Sequence, residues 1–477
     1  MRTFEDLQAG LGAALALNRP GSTTQHVMVV LPSFSIGESL LAHYADRIPA
    51  LEHRYLVVLS VLARVESCEM VFVGSQDPGD EVLDYYLSLV PGAHRDSVRR
   101  RFRVVTVPDS SHRSVAEKLL DHADQVAEVR RVIGNRPAYI EPWNVTDHEV
   151  AVAVALQVPV NGAHPDLLPT AHKSAGRRLF RDAGVPLPYG HEDVRTVDDV
   201  VRSADDIHRH RPTCTAVVVK HDDSGAGDGN VVIDLRGHVR SDVESLPEWY
   251  LRDLRAGGVV EERVDGAAFT SPSAQVDVLP DGRVIVLATH EQELGGAEGQ
   301  VYMGCRFPAD GAYAGELGQH ARAVGEQLAR LGAVGRLGVD FAVAGDATGG
   351  HAVHALEINL RKGGTTHPYA VLRNHVPGRY DAEAGRWVAA LDGSSRAYRA
   401  TDNLVNPAWQ GVPAATVLKA VGERGLHLDH ERGTGVVLHM LSCLGVDGRF
   451  GLTAIGHDAD HAAELFEHTR TAVENCL

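Results

Sequence analysis

Two apolar runs, LGVDFAVAG and HALEINLRKGGTTHP, lie within Leu337–Pro368 and constrain the fold more than any other segment. Each reads as a strand that carries polar residues where a wholly buried strand would have none. Glu357 and Asn359 are two residues apart, so both side chains project from one face of a strand, and Asp340 can meet them from the neighbouring strand. Two carboxylates and a carboxamide are hard oxygen donors of the kind that suit Mg²⁺ carried by nucleotide phosphates. Arg361 and Lys362 follow at once and supply positive charge where phosphoryl oxygens would sit. The simpler reading, polar ends on two core strands, serves for Asp340 alone. It serves poorly for the whole D…E-x-N-x-R-K-G-G set together with the features upstream of it.

A chain of 477 residues is too long for one ordinary core, so two or three domains are expected. Its 44% hydrophobic and 23% charged residues are those of a soluble globular protein. A net charge of −17 argues against nonspecific binding to nucleic acid or to an acidic membrane. No run approaches the apolar length of a membrane span. MRTFEDLQAGLG lacks a basic segment followed by an apolar one, so a signal peptide is not expected. The five cysteines are scattered with no CxxC pair, which fits a cytoplasmic location and neither a disulfide framework nor a zinc site.

Residues 1–165 alternate strand-like and helix-like runs. Strands are expected from His26, Cys68, Phe102 and Ala138, a long helix through Val132, a helix over Thr146–Leu156 and a short strand at PVNGA. That alternation predicts a parallel sheet with helices on both faces. Ser75-Gln76, at a strand's C-terminal end, can line a crevice, and no GxGxxG turn points to dinucleotide binding. From Pro169 the pattern changes. TAHKSAGRRLFRDAGVPLP reads as a helix stopped by Gly184 and Pro186. CTAVVVKHDDSGAGDGNVVIDL then reads as strand, glycine-rich loop, strand. The composition shifts again after Gly378, toward an additional subdomain with a terminal helix over Ala459–Cys476.

Lys220 ends the strand AVVVK and precedes Ser224-Gly225-Ala226-Gly227-Asp228-Gly229. Such a loop lets backbone N–H groups converge on phosphate oxygens without Cβ obstruction. It is not a Walker loop. Lys173, at the start of the preceding helix, is a second candidate phosphate contact. A later strand ends in Glu261-Glu262, and a strand-end linker of this type offers backbone groups to adenine, with Glu261 placed for the exocyclic amine or a ribose hydroxyl.

In this order the residues resemble the ATP-grasp superfamily over roughly Asp166–Pro377. Lys173, ten residues before Ala183, matches the first nucleotide lysine of D-alanine–D-alanine ligases, and Lys220 the second. Glu261 in VVEERVDG matches the acidic start of the adenine linker. Asp340, Glu357 and Asn359 match the magnesium-binding acid, acid and asparagine, and Arg361 a phosphate-binding arginine. One departure stands out. The family usually has a ribose-binding glutamate where this chain has Ala268, which leaves Glu262 or Asp265 for that contact. A narrower resemblance spans nearly the whole chain. THEQELGGAEGQVYMGCRFPAD and EINLRKGGTTHPY are similar to peptide ligases of the pheganomycin biosynthesis type.

The resemblance implies an α/β grasp architecture: an N-terminal parallel-sheet domain (1–165), an ATP-grasp domain (166–377, lid about 190–265) and a small C-terminal α/β domain (378–477). It implies ATP and Mg²⁺ as cofactors, and as substrates a small-molecule carboxylate and the amine of an amino acid or peptide, in peptide natural-product biosynthesis. The expected chemistry is transfer of the γ-phosphoryl group to the carboxylate, giving an acyl phosphate that the amine displaces. Lys173, Lys220, Ser224, Gly225, Ala226, Gly227, Glu261, Glu262, Asp265 and Gln292 are expected to hold the nucleotide. Arg361, Lys220 and His290 are the candidates for stabilising the transferred group, and Lys362, Gly363, Gly364 and Thr365 for meeting the substrate carboxylate. His367 is expected to shape the turn rather than act as a base. A homodimer stays open. So do two other readings: a carboxylase-like enzyme with a non-amine acceptor, disfavoured because no biotinyl AMKM-like sequence is present, and a non-catalytic nucleotide-binding module.

Overall fold

The computed structural model describes residues 2–36, 41–42, 44–224, 229–295, 301–345 and 349–475. The N-terminal strands β1 (His26–Leu31), β2 (Cys68–Gly74), β3 (Phe102–Thr106) and β4 (Ala138–Pro142) form a parallel sheet in the order β3-β2-β1-β4. All six residues of β1 are buried, as a central parallel strand covered on both faces requires. The helix Asp147–Leu156 begins where expected because Thr146 and Glu149 form a reciprocal capping box. Two expectations fail here. The long helix before Val132 is two, Val115–Leu120 and Ala123–Ile133, divided where His122 turns its ring back onto the Lys118 carbonyl (2.8 Å). PVNGA is no strand and contributes only the isolated bridge Ile140–Val160.

The second sheet is antiparallel, in the order β5-β8-β6-β7: β5 (Gly190–His191), β6 (Ala216–His221), β7 (Asn230–Asp234) and β8 (Gly258–Glu262). Helix Val197–His210 buries Val200, Ala204 and Ile207 against Val217, Val219 and Val260 of this sheet.

Among the described residues the largest sheet has eleven strands. Its path is β14 (His351–Asn359), β13 (Gly335–Gly345), β10 (Pro272–Val278), β11 (Val284–Gly295), β12 (Val301–Phe307), β17 (Ser395–Val405), β16 (Arg386–Ala389) and β15 (Gly378–Asp381). Off this path, β9 (Ala268–Thr270) pairs with β13, and β19 (Arg449–Gly456) pairs with β17 and with β18 (Gly435–His439). Helix Ala314–Arg330 covers one face through Leu317, Ala321, Val324 and Leu328. The opposite face carries polar side chains and looks toward the other two sheets. The join between β12 and β17 makes the C-terminal strands a continuation of the same sheet, so residues from both ends of the chain reach one cavity.

Among the described residues no helix is long and apolar enough to cross a membrane. Cys68, Cys214, Cys305 and Cys443 are unpaired thiols.

Candidate active site

A cavity of about 950 Å³ lies where the three sheets meet. Its floor is the polar face of the large sheet, and register sets that face. Asp340 stands opposite Glu357, and Gly338 opposite Asn359, with a bulge between Asp340 and Phe341 that takes up Leu356. Ser273 of β10 stands opposite Asp340 on the other side. Asp340, Glu357 and Asn359 therefore converge, as their spacing predicts, and all three line the cavity. Burial and the neighbouring Glu357 carboxylate raise the Asp340 carboxyl to about 6. Asp340 accepts from Gln292 Nε2 (2.9 Å) and Asn359 Nδ2 (2.8 Å), while the Asn359 oxygen accepts from Arg361 Nη1. The Arg361 guanidinium lies 5.4 Å over the ring of Trp143, at the end of β4.

Lys173 is buried, with Nζ 2.8 Å from Glu357 and 3.0 Å from the Ser224 carbonyl. One lysine therefore joins the acidic floor to the start of the glycine-rich loop. Gly225, Ala226 and Gly227 lie outside the described residues. Lys220 pairs with Glu261, and Glu261 accepts from Arg177 at 2.6 Å. The Glu261 carboxylate is thus already held by two cations, so it positions Lys220 rather than reaching for adenine or ribose as expected. Glu262 is engaged too, with the Tyr189 N–H (2.7 Å) and Arg211 (3.2 Å). Asp265, exposed beside Arg263 at 3.3 Å, lines the cavity.

Two expectations are corrected. His290 lies on the polar face by alternation but is 0% exposed and does not line the cavity. The rings of Phe307 and Tyr398 pack beside it, its Nε2 meets the Tyr398 hydroxyl at 2.6 Å, and burial lowers it to about 3. It is a neutral core histidine. Lys362 turns away from the cavity, onto the Pro142 carbonyl and Glu141 (2.5 Å), and so ties the segment to the N-terminal sheet. Ser75 and Gln76 line no part of the cavity, because Ser75 is tied to the buried Glu52 and the Gln76 carbonyl to His53.

The following turn does line the cavity. Gly363 N–H is taken by Thr366 Oγ1 (3.0 Å), and Thr365 and Thr366 bond to the two ends of the Gln275 amide. A Cβ on Gly364 would meet the Tyr302 ring at 2.5 Å, so only glycine allows that approach. His367 packs 4.2 Å from the His439 ring and has no place among the acids.

His290→Phe is expected to keep turnover within about threefold. It should lower the melting temperature, since a buried hydroxyl left without its partner costs about 1–3 kcal/mol. A hundredfold loss of turnover at unchanged melting temperature would return His290 to the chemistry.

The residues that sequence reading missed come from outside the central segment: Trp143, Gln275, Arg336, Arg54 and Asp402 all line the cavity. Trp143 alone carried a usable signal, because ligand crevices form at the carboxyl ends of parallel strands.

Comparison with known proteins gives the family and the fold. Residues 170–365 match the ATP-grasp domain, and residues 416–469 match the PGM1 C-terminal domain. The chain is 30% identical, over 93% of its length and 92% of the relative's, to the L-propargylglycine–L-glutamate ligase of Streptantibioticus cattleyicolor. Two solved structures share the fold at low identity. They are the ADP complex of an N5-carboxyaminoimidazole ribonucleotide synthetase (TM-score 0.54, 11% identical, covering 96% of this chain and 98% of that one) and the biotin carboxylase domain of the Hydrogenobacter thermophilus 2-oxoglutarate carboxylase with MgADP (0.58, 14%, 94% and 90%). The chain belongs to the ATP-grasp carboxylate–amine ligases.

Proposed function

We propose that the cavity binds ATP between the β6–β8 sheet and the β13–β14 floor and uses it to join a carboxylic acid to the amine of an amino acid or peptide. The observation that carries this reading is the meeting of Asp340, Glu357, Asn359, Arg361 and Lys220 around one cavity, with Lys173 paired to Glu357 behind them. Glycines 225 and 227, with Ser224, would wrap the phosphates. Lys220, held by Glu261, would meet the phosphates, and Asp265 would fix the nucleoside end.

The donor set fits Mg²⁺. Two carboxylates and an amide are hard oxygen ligands, and a magnesium site commonly takes one or two carboxylates with the rest from water and phosphate. Burial, and after it the neighbouring Glu357 carboxylate, raise the Asp340 carboxyl to about 6, a shift that further positive charge between the two acids would oppose. Asp340, Glu357 and Asn359 would hold the ion, Asn359 after a half-turn of its amide. Bound there, it would supply positive charge to the transferred phosphoryl group.

The protein's own work is positional. Arg361, held by Asn359 and stacked on Trp143, offers its remaining donors to the migrating phosphoryl group and the developing oxyanion. The acid's oxygen attacks the γ-phosphorus, ADP leaves, and the amine displaces phosphate from the acyl carbon as it loses a proton. Gly364 and Thr365, at the opening of helix Thr366–His375, face the acid from a helix N-terminus.

The expected products are ADP and phosphate, each equal to the amide formed, in turnover that requires an amine and ignores bicarbonate. AMP and pyrophosphate in equal amounts would show that the activation chemistry is different, and turnover dependent on bicarbonate would favour the carboxylase-like reading.

A further inference from the structure

The cavity continues past the acidic floor to a second polar group, assembled from opposite ends of the chain. Arg54, in the short helical turn Arg54–Val58, forms an ion pair with Asp402 of β17, 348 residues away in sequence. Their side chains are 7% and 18% exposed, and both line the cavity. Asp402 Oδ1 also accepts from His439 Nε2 at 2.7 Å, which fixes the carboxylate from behind. Arg54 spends Nη1 on Asp402 and holds Nε 3.5 Å from the Leu51 carbonyl. Its Nη2 has no protein partner among the described residues. Arg449 also lines the cavity, with Nε 3.1 Å from Asp447 and Nη1 on the oxygen of Asn403, the residue after Asp402.

A buried ion pair gives little net stability, because desolvating both charges offsets most of their attraction. An apolar pair would join the two ends of the chain as well. What an apolar pair could not do is present two opposite charges, side by side, to a cavity. A ligand with only negative charge would meet Asp402 there, and one with only positive charge would meet Arg54 and Arg449. A ligand that carries both on neighbouring atoms satisfies each partner and uses the spare Arg54 donors.

We infer that this end of the cavity is an amino-acid subsite, in which Asp402 receives the ammonium group and Arg54, with Arg449, the carboxylate of a free α-amino acid. The inference rests on the ligase reading, since it names the head group that one of the two substrates presents.

Calorimetric titration of the full chain tests it, using ADP with magnesium chloride, the twenty common L-amino acids and L-propargylglycine. At least one free amino acid is expected to bind. Its N-acetyl and α-carboxamide forms should each bind at least tenfold more weakly. Asp402→Asn should weaken the free amino acid by tenfold or more, and Arg449→Gln by about three- to tenfold, with ADP still bound. The capped ligands are tested on the unmodified chain, so the result stands even if Asp402→Asn does not fold. If capped and free forms bind alike, or ADP binds and no amino acid does, the subsite is wrong and the ion pair is only a tie between domains. If amino acids bind as described and ADP does not, the ligase reading fails and the subsite stands.

Discussion

Asp340→Asn is expected to abolish most turnover while making the nucleotide-free chain more stable at neutral pH. Removing a group that stabilises transition-state charge typically costs two orders of magnitude or more in rate. The stability gain follows from the proton balance. Burial and Glu357 raise the Asp340 carboxyl to about 6, above its ordinary value of 3.8. Between those two values the folded chain binds the proton and the unfolded chain does not. The stability contributed by this group is therefore present at low pH and is lost as pH rises through about 6. At one pKa unit per 1.36 kcal/mol, the charge held at neutral pH costs on the order of 2–3 kcal/mol. Asparagine keeps the shape and removes the charge, although one of the donors from Gln292 and Asn359 must rotate to suit its amide. The melting temperature of the variant should exceed that of the parent at pH 7.5, and the two should draw together at pH 5. Near-normal turnover would remove Asp340 from the site. Lost turnover without the pH-dependent gain would mean that the carboxylate is not held against its charge. Glu357 is a poorer choice for the same test, because its removal strands the buried Lys173.

Arg361→Ala should suppress two products at once. With the correct acid, ATP and Mg²⁺, hydroxylamine is expected to replace the amine and yield a hydroxamate, since both nucleophiles would meet the same acyl phosphate. If Arg361 clamps the migrating phosphoryl group, its removal should cut hydroxamate and amide formation together by about two to three orders of magnitude. Arg361→Lys should recover little, because a point charge replaces neither the planar fork toward Asn359 nor the stacking on Trp143. A variant that makes both products at the parental rate would show that the clamp is elsewhere. Lys362 and His290 are not available to inherit the role, one facing Glu141 and the other enclosed by Tyr398 and Phe307. Lys220 and Arg336 are cations that remain on the cavity wall.

Much of the acidic floor is legible in the sequence, because strand geometry is periodic and local. Two-residue spacing puts Glu357 and Asn359 on one face, and pairing of adjacent strands puts Asp340 opposite Glu357. The lysine at the end of β6 is legible for the same reason, as are the helix after Thr146 and the parallel pairing of the N-terminal strands, though not their order. Alternation also places His290 on the polar face, but it cannot say how far along that face the cavity extends. Tyr398, more than a hundred residues later, covers the ring. Lys362 sits in a motif that reads as substrate-facing, yet the Pro142 carbonyl and Glu141 of another sheet draw it away.

Residue types at short spacings along strands, and the family resemblance they carry, point to the class of chemistry. Which charged groups share the cavity follows instead from how the sheets pack. The Arg54–Asp402 pair exists because β12 takes β17 as its neighbour and brings the C-terminal strands beside the N-terminal turn. Such a pairing follows from burying whole sheet faces and leaves no mark in any local run of residues.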